Sequence, residues 1–398
     1  MKTVCLVGGK LQGFELAYLA KKAKIKTILV DRNPKALIRT YTDEFHCFDV
    51  VKDPARLIEL SEKVDALIPG NENLKCIALL EELEEKLCCP IFFDFEAYRI
   101  SRDKHKSKDF FARVGVPTPL AFPSEPPYFV KPACESGSVG TAILYEQEAL
   151  KKLEPSMLIE EYVEGDVVSL EIVGDGSHFA VVKETKVHID PTYDCHKVTP
   201  LPSDREFRQI ARTLAQGLFL KGIMDVEAIK GKKGLKVIEI DARFPSQTPT
   251  VVYHSTGINL LELLFKAFEN GPKAEKEKGA AKMQKKGLQE IVDFPKEAYC
   301  IFEHLMLDKE NRILVPVGEH VLSESSEYGK YYAEEGLEIF LGLGKQLVFT
   351  LIVWAPVQDA AEKAREKGLE LLAKAFDLNR SSDFVLELGQ KPEIKAGI

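Results

Sequence analysis

The sequence has no paired cysteines. Its eight cysteines are scattered over 398 residues without a Cys-x-x-Cys spacing, which reads as reduced thiols in a cytoplasmic protein rather than a disulfide framework. An excess of positive charge is missing too. A formal net charge of -8 and a pI near 5.7 exclude a general binder of nucleic acid or of a membrane surface, since either needs a basic face. A local basic pocket stays open. No apolar run approaches the ~20 residues that span a bilayer, and the longest, Leu347 to Trp354, is strand-sized. The N-terminus has no signal-peptide pattern, and no internal repeat is found. What the chain does have is a hydrophobic content of 45% over 398 residues, enough to fill the cores of two or three domains.

One further absence concerns glycine. The segment Val7-Gly8-Gly9-Lys10-Leu11-Gln12-Gly13-Phe14-Glu15 follows an apolar run, Thr3 to Val7, and precedes a helix-like stretch. A dinucleotide-binding turn needs a glycine in its middle, where the backbone presses against the pyrophosphate. Lys10 stands there instead, which argues against a dehydrogenase. Residues 1 to about 95 alternate apolar runs (Thr3 to Val7, Thr27 to Val30, Ala66 to Pro69, Pro90 to Phe93) with amphipathic segments, and this rhythm predicts a parallel sheet with helices on its faces. Ligands collect at the carboxyl ends of such strands, where Lys10, Leu11, Gln12, Asp31, Arg32, Asp49 and Asn71-Glu72-Asn73 fall.

From about residue 100 the texture changes to a helix, Lys104 to Val114, and then to short strands with glycine loops as far as about residue 270. The charged stretch Gly271 to Gly279 reads as an exposed loop. Beyond it the pattern predicts β runs at Tyr299 to Leu305, Leu337 to Leu341 and Leu347 to Trp354, then a long helix from Val357 to Phe376.

Four separated pieces of this second unit fit one chemistry. Lys104 and Lys131 come first, the latter ending an apolar strand in front of Pro132; taken alone, each also reads as a structural lysine. Next is Glu135-Ser136-Gly137-Ser138-Val139-Gly140, whose backbone N–H groups and hydroxyls suit phosphate oxygens, although an ordinary hairpin is the plainer reading. Third is Met157 to Gly165, an apolar strand running into Glu160-Glu161-Tyr162-Val163, a form able to read an adenine edge through its backbone. The fourth pairs Met224-Asp225-Val226-Glu227 with Val237-Ile238-Glu239-Ile240-Asp241-Ala242-Arg243. Alternation turns Glu239, Asp241 and Arg243 to one face, which is costly in an apolar strand without a counter-charge. Asp225 adds a carboxylate, and hard oxygen ligands in this number suit Mg²⁺ held together with phosphates.

In this order and at these separations the four pieces resemble the ATP-grasp superfamily over residues from about 100 to 265. The implied fold is α/β and α+β, an ATP-grasp fold preceded by an N-terminal parallel α/β domain. Its domains would be 1–95, a central lid at 96–168, and 169–398 with the metal site and a β/α extension. The resemblance implies ATP and Mg²⁺ as cofactors. It puts Lys104 and Lys131 on the phosphates, Ser136, Gly137, Ser138 and Gly140 in a flap, and Glu160, Glu161, Tyr162 and Val163 at the adenine, with Glu161 and Val163 acting through their backbones. Asp225, Glu239 and Asp241 would carry magnesium, and Arg243 would stabilise the transferred phosphoryl group. Asp241 departs from the usual Asn, and the acid expected at the ribose is displaced, with Asp166 or Glu171 as substitutes. Tyr193-Asp194-Cys195-His196-Lys197 looks like the loop of the D-alanine:D-alanine ligase branch that brings a lysine to the γ-phosphate, so Lys197 would join Arg243 at the reacting end; an exposed loop lysine is the other reading.

Over its whole length, from the Val7 to Gly13 turn to the Glu239 to Ser246 segment, the chain is similar to the ATP-grasp ligases of pyrrolysine biosynthesis. That implies amino-acid substrates, 3-methyl-D-ornithine as acyl donor and L-lysine as the amine, with no nucleic acid or membrane partner and the oligomeric state open. With ATP assigned to the second unit, the glycine turn is free to serve an amino acid. Lys10, Leu11, Gln12, Glu72 and Ser246 form the substrate set, Leu11 and Gln12 through their backbones and Glu72 by pairing an ammonium. The bland alternative is a strand-to-helix turn beside a surface glutamate. Other readings are a different ATP-grasp amino-acid or dipeptide ligase, or a catalytically idle nucleotide-binding module, although no metal carboxylate or phosphate lysine is missing.

Overall fold

Strands covered on both faces are continuously apolar rather than alternating, and the N-terminal runs build such a sheet. In the computed structural model, which describes residues 1–133, 140–190, 192–269, 288–291 and 294–378, the chain opens with β1 (Thr3–Val7), α1 (Leu11–Lys22), β2 (Lys26–Asp31), β3 (Glu44–Cys47), α2 (Pro54–Ser61), β4 (Ala66–Pro69) and α3 (Leu74–Leu83). These strands are parallel in the order β3-β2-β1-β4. Two details differ from the sequence pattern. The run Pro90 to Phe93 supplies only a single parallel bridge, Ile91 to Leu67, and β3 is an additional edge strand whose half-exposed Glu-Phe-His-Cys carries no apolar signature.

Helices α4 (Phe95–Ser101) and α5 (Lys104–Val114) lead into a small antiparallel sheet of β5 (Tyr128–Pro132), β6 (Ala142–Leu144) and β7 (Met157–Glu161), ordered β6-β5-β7. Asp103 starts α5 by accepting hydrogen bonds from the His105 and Lys106 amides, satisfying donors that the first turn leaves open.

The remaining strands form one ten-stranded antiparallel sheet. They are β8 (Gly165–Asp175), β9 (Phe179–Ile189), β10 (Cys195–Pro200), then after α6 (Arg205–Leu218) β11 (Lys221–Gly231) and β12 (Gly234–Asp241). After α7 (Thr248–Thr256) and α8 (Leu260–Glu269) come β13 (Tyr299–Asp308), β14 (Ile313–Pro316), α9 (Glu319–Ser323), β15 (Glu327–Glu334), β16 (Leu337–Leu343), β17 (Leu347–Ala355) and α10 (Gln358–Phe376). The order is β12-β11-β8-β9-β10-β13-β17-β16-β15, with β14 on β13. The three C-terminal β runs and the long helix fall where the pattern puts them, whereas the charged stretch 271–279 lies outside the described residues.

Packing places the site. One face of the large sheet packs on α5 and α6 through Phe110, Phe111, Phe207 and Leu214. The other face shares a core with α1, α7 and α8. Phe14 of α1 meets Tyr328 and Phe340 edge-on at 4.9 and 5.0 Å. The buried Tyr18 hydroxyl donates to Glu338 at 2.7 Å and meets His254 Nε2 at 2.6 Å. The N-terminal unit and the C-terminal strands are therefore joined by one apolar body. No helix among the described residues is long and apolar enough to cross a membrane.

Candidate active site

The glycine turn is tight because another loop lies on it. A Cβ on Gly13 would fall 2.5 Å from the Gly8 carbonyl oxygen, and one on Gly8, where φ is +111°, would fall 2.7 Å from the Gly70 carbonyl oxygen. These glycines let the β1–α1 and β4–α3 loops touch backbone to backbone. The contact brings Gln12 Nε2 to Glu72 Oε1 at 2.6 Å. Lys10 stays exposed at the head of α1, its carbonyl accepting from the Phe14 amide, with half-buried Leu11 and Gln12 following it.

Glu72 is not a free surface acid. Its Oε1 lies 2.6 Å from Arg243 Nε, while Arg243 Nη2 lies 2.9 Å from Asp241 Oδ2. The guanidinium thus links the β4–α3 loop of the N-terminal sheet to the carboxylate strand of the large one.

The strand register extends that carboxylate strand into a field. Asp225 stands opposite both Glu171 and Asp241, and Glu227 opposite both Ser169 and Glu239; directly opposed residues of antiparallel strands share a face. Five carboxylates therefore crowd one face of β8, β11 and β12. Burial, then neighbouring acids, pushes Glu227 up to about 7, and burial first pushes Asp241 to about 8 although Arg243 pulls it down. Glu171 is driven to about 7 by burial, against the Thr248 hydroxyl. Burial, then Asp241, drives Asp225 well above the carboxylate range. Both Glu171 oxygens and Asp225 Oδ1 lack a well-formed hydrogen bond, a costly state that a cation relieves. Among the described residues no three His, Cys, Asp or Glu side chains form a ready-made metal cage. Hard oxygen donors that leave part of the shell open fit Mg²⁺ arriving with phosphates.

Opposite this field stand the lysines. Lys104 Nζ is 2.8 Å from Glu239 Oε1; burial pulls its ammonium down, but Glu239 outweighs it and holds the group above its ordinary value. Lys131 Nζ is 3.1 Å from Glu160 Oε2 and donates to the Ile238 carbonyl at 3.2 Å. Lys108 also pairs with Glu160, and its ammonium reaches Thr118 Oγ1 at 2.6 Å. Burial lowers Lys108 to about 8 against the pull of Glu160.

Several placements refine the sequence reading. The Glu160 side chain lies between two lysines. The Glu161 amide donates to the Leu120 carbonyl at 2.9 Å, so of its backbone only the carbonyl could serve the expected adenine contact; half-buried Tyr162 and Val163 continue from it into β8. Asp166, on the face of β8 opposite Glu171, is exposed and paired with Lys186 at 2.8 Å. Lys197 is corrected from a loop to a strand residue: β10 pairs it with His188 and Glu303, and alternation puts it with Glu303, which Arg365 of α10 holds at 2.5 Å, on the face away from the five carboxylates. Ser136, Gly137 and Ser138 lie outside the described residues; Gly140, at φ +75°, returns the chain beside Pro132.

Three residues were invisible to motif reading. Glu227 stands two residues after Asp225 on β11, where the same alternation turns it to the carboxylate face. Lys108 lies one helical turn after Lys104 on α5, a spacing that could have shown it. Glu319 has no local signal. It comes from α9, accepts from the Ser246 hydroxyl, and is pushed to about 7 by burial and Asp194 while Arg243 draws it down. Its Oε2 is shut off from solvent without a partner.

Residues 101–247 match the family model described as ATP-grasp domain. A 3-methyl-D-ornithine–L-lysine ligase from Methanosarcina barkeri is 62% identical over 376 residues, covering 94% of this chain and 99% of that protein. The enzyme of the same name from Methanosarcina acetivorans is 59% identical with the same coverage. Among solved structures, a biotin carboxylase from Campylobacter jejuni aligns with a TM-score of 0.70 at 16% identity, over 92% of this chain and 90% of that one. An N5-carboxyaminoimidazole ribonucleotide synthetase from Thermotoga maritima gives 0.62 at 19% identity, over 94% and 98%; both show the fold. An ATP-grasp domain implies that the chain binds ATP. With most of both sequences aligned at this identity, the chain belongs to the 3-methyl-D-ornithine–L-lysine ligase family of ATP-grasp enzymes.

Proposed function

We propose that the chain uses ATP to activate the carboxylate of 3-methyl-D-ornithine as an acyl phosphate, which the ε-amine of L-lysine then attacks to give an amide, ADP and phosphate. The observation that carries this reading is Arg243 bound to Asp241 on one side and Glu72 on the other. It stands where a nucleotide-facing carboxylate row meets an amino-acid turn. Asp225, Glu239 and Asp241 would hold Mg²⁺, which supplies charge neutralisation on phosphate oxygens. Lys104 and Lys131 hold the phosphates, and Arg243 faces the charge that develops as the phosphoryl group transfers. Both substrates are diamino acids, and Glu72 and Glu319 near Arg243 supply the anionic wall that their ammonium groups need. The attacking amine, with an ordinary pKa of ~10.4, must shed its proton, which desolvation favours and the neighbouring carboxylates oppose.

Mass spectrometry after incubation with ATP, Mg²⁺, 3-methyl-D-ornithine and L-lysine is expected to show the isopeptide with one ADP per product. ATP hydrolysis without amide, or an amide to another amine, would overturn the reading. For the substrate turn, Glu72→Ala is expected to raise the KM for L-lysine by about tenfold or more, the scale of a lost charge-assisted contact, while ATP binding persists. An unchanged dependence on lysine returns the turn to scaffold.

A further inference from the structure

Lys108 has no part in the ligase chemistry above, yet it is the most elaborately held lysine near the site. It lies four residues after Lys104, so α5 presents both ammonium groups on one side. Lys104 reaches Glu239 of β12, and Lys108 reaches Glu160 of β7. Glu160 is 2% exposed at its side chain and also takes Lys131, itself 5% exposed, at 3.1 Å. Thr118, which Lys108 touches, donates to the Val237 carbonyl at 2.9 Å, next to the Ile238 carbonyl used by Lys131. One buried carboxylate therefore serves two buried ammonium groups, and the trio carries one net positive charge.

That surplus decides what Lys131 can do. A lysine paired one-to-one with a buried carboxylate is neutralised and tethered, and little of its field is left for a third group. A second ammonium on the same carboxylate weakens the tether and returns the charge. We propose that Lys108 is a positioning residue for nucleotide binding: by sharing Glu160 it keeps the charge of Lys131 available to the phosphates of ATP. The role rests on the reading that Lys131 binds phosphate, and it acts through Lys131 without contact between Lys108 and the nucleotide.

The test is calorimetry of Mg-ATP and of adenosine on the full chain. Lys108→Met is expected to weaken Mg-ATP by about tenfold or more, a change of roughly one charged contact, and to leave adenosine unchanged, because adenosine has no phosphate for Lys131 to meet. Adding Glu160→Gln to Lys108→Met frees Lys131 and is expected to bring Mg-ATP back to within about threefold of wild type. Lys108→Arg, which keeps the charge, should stay near wild type. Equal losses for ATP and adenosine without recovery in the double variant would reduce Lys108 to a structural staple and overturn the proposal. If Lys108→Met does not fold, Glu160→Gln alone decides: it leaves both lysines unquenched, and a tenfold loss of Mg-ATP would overturn the role. Wild-type protein that binds no Mg-ATP would overturn the ligase reading and this role together, whereas wild-type binding matched by Lys108→Met overturns this role alone.

Discussion

Arg243→Met is expected to lower kcat by about 10²–10³, the scale found when one preorganised charge stabiliser is removed, and to cost on the order of 2 kcal/mol of stability. The two effects share a cause. The guanidinium bonds Glu72 Oε1 and Asp241 Oδ2 at 2.6 and 2.9 Å, and its loss leaves Asp241 beside Asp225 and Glu239 with only Lys104, itself paired with Glu239, to offset them. Arg243→Lys is expected to recover part of the stability but little of the rate, since a point charge cannot hold two carboxylates in a fixed fork. Steady-state ADP release and urea melts measure the two sides, and an Arg243→Met enzyme within threefold of wild type, about 0.7 kcal/mol, would remove Arg243 from the reacting centre.

Stability in the absence of Mg²⁺ and nucleotide is expected to fall as pH rises from about 6.5 to 8. Asp241 and Glu15 are raised to about 8, and Glu171, Glu227 and Glu319 to about 7, each first by burial. Unfolded carboxyls ionise near 4. Through this window the folded chain keeps protons that the unfolded chain has lost, so each rise in pH favours unfolding. The loss is on the order of 3 kcal/mol, taking about 1.4 kcal/mol per unit and group and discounting for mutual coupling. Two sets of groups work against this decline. At and below about 6.5 the buried His188, His254 and His304, all lowered to about 3 by desolvation, stay neutral where the unfolded chain is charged, and they offset part of the carboxyl effect without reversing it. Above about 8 the lowered Lys108 again favours folding as pH rises. Mg-ADP should flatten the decline, since cations replace the protons. Urea midpoints at pH 6.5 and 8, with and without Mg-ADP, check this; a rise in stability across the window would mean that the carboxylate field is solvated.

The parts of the site that were readable lie within single strands or turns. Glu239, Asp241 and Arg243 reveal their common face through the period of two, and β1 with its glycine turn is plain from a buried run followed by a helix. What escaped depends on contacts across the chain. Glu72 meets Arg243 only because Gly8, Gly13 and Gly70 let two loops touch, and nothing local to Glu72 says so. Glu160 looks like part of an adenine segment, and its neutralisation by Lys108 and Lys131 needs three elements placed together. Lys197 shows the opposite failure: a permissive motif suggested a reacting loop, while the pairing of β10 with β13 carries the residue to the far face.

The shared apolar body that fastens α1 to the C-terminal strands through Phe14, Tyr18, Tyr328 and Phe340 has a kinetic consequence. Gln12 and Glu72 on one wall, and Arg243 on the other, keep their spacing before either amino acid arrives. Joining two free molecules normally costs translational and rotational entropy, and holding them aligned is worth effective concentrations of roughly 10⁵ M or more. In this chain the ordering of the site's own walls is met during folding, when the aromatic residues interlock, so that binding energy has only the two amino acids to align. On the function proposed, an amine held at such a wall would meet the acyl phosphate as an intramolecular neighbour, ahead of water.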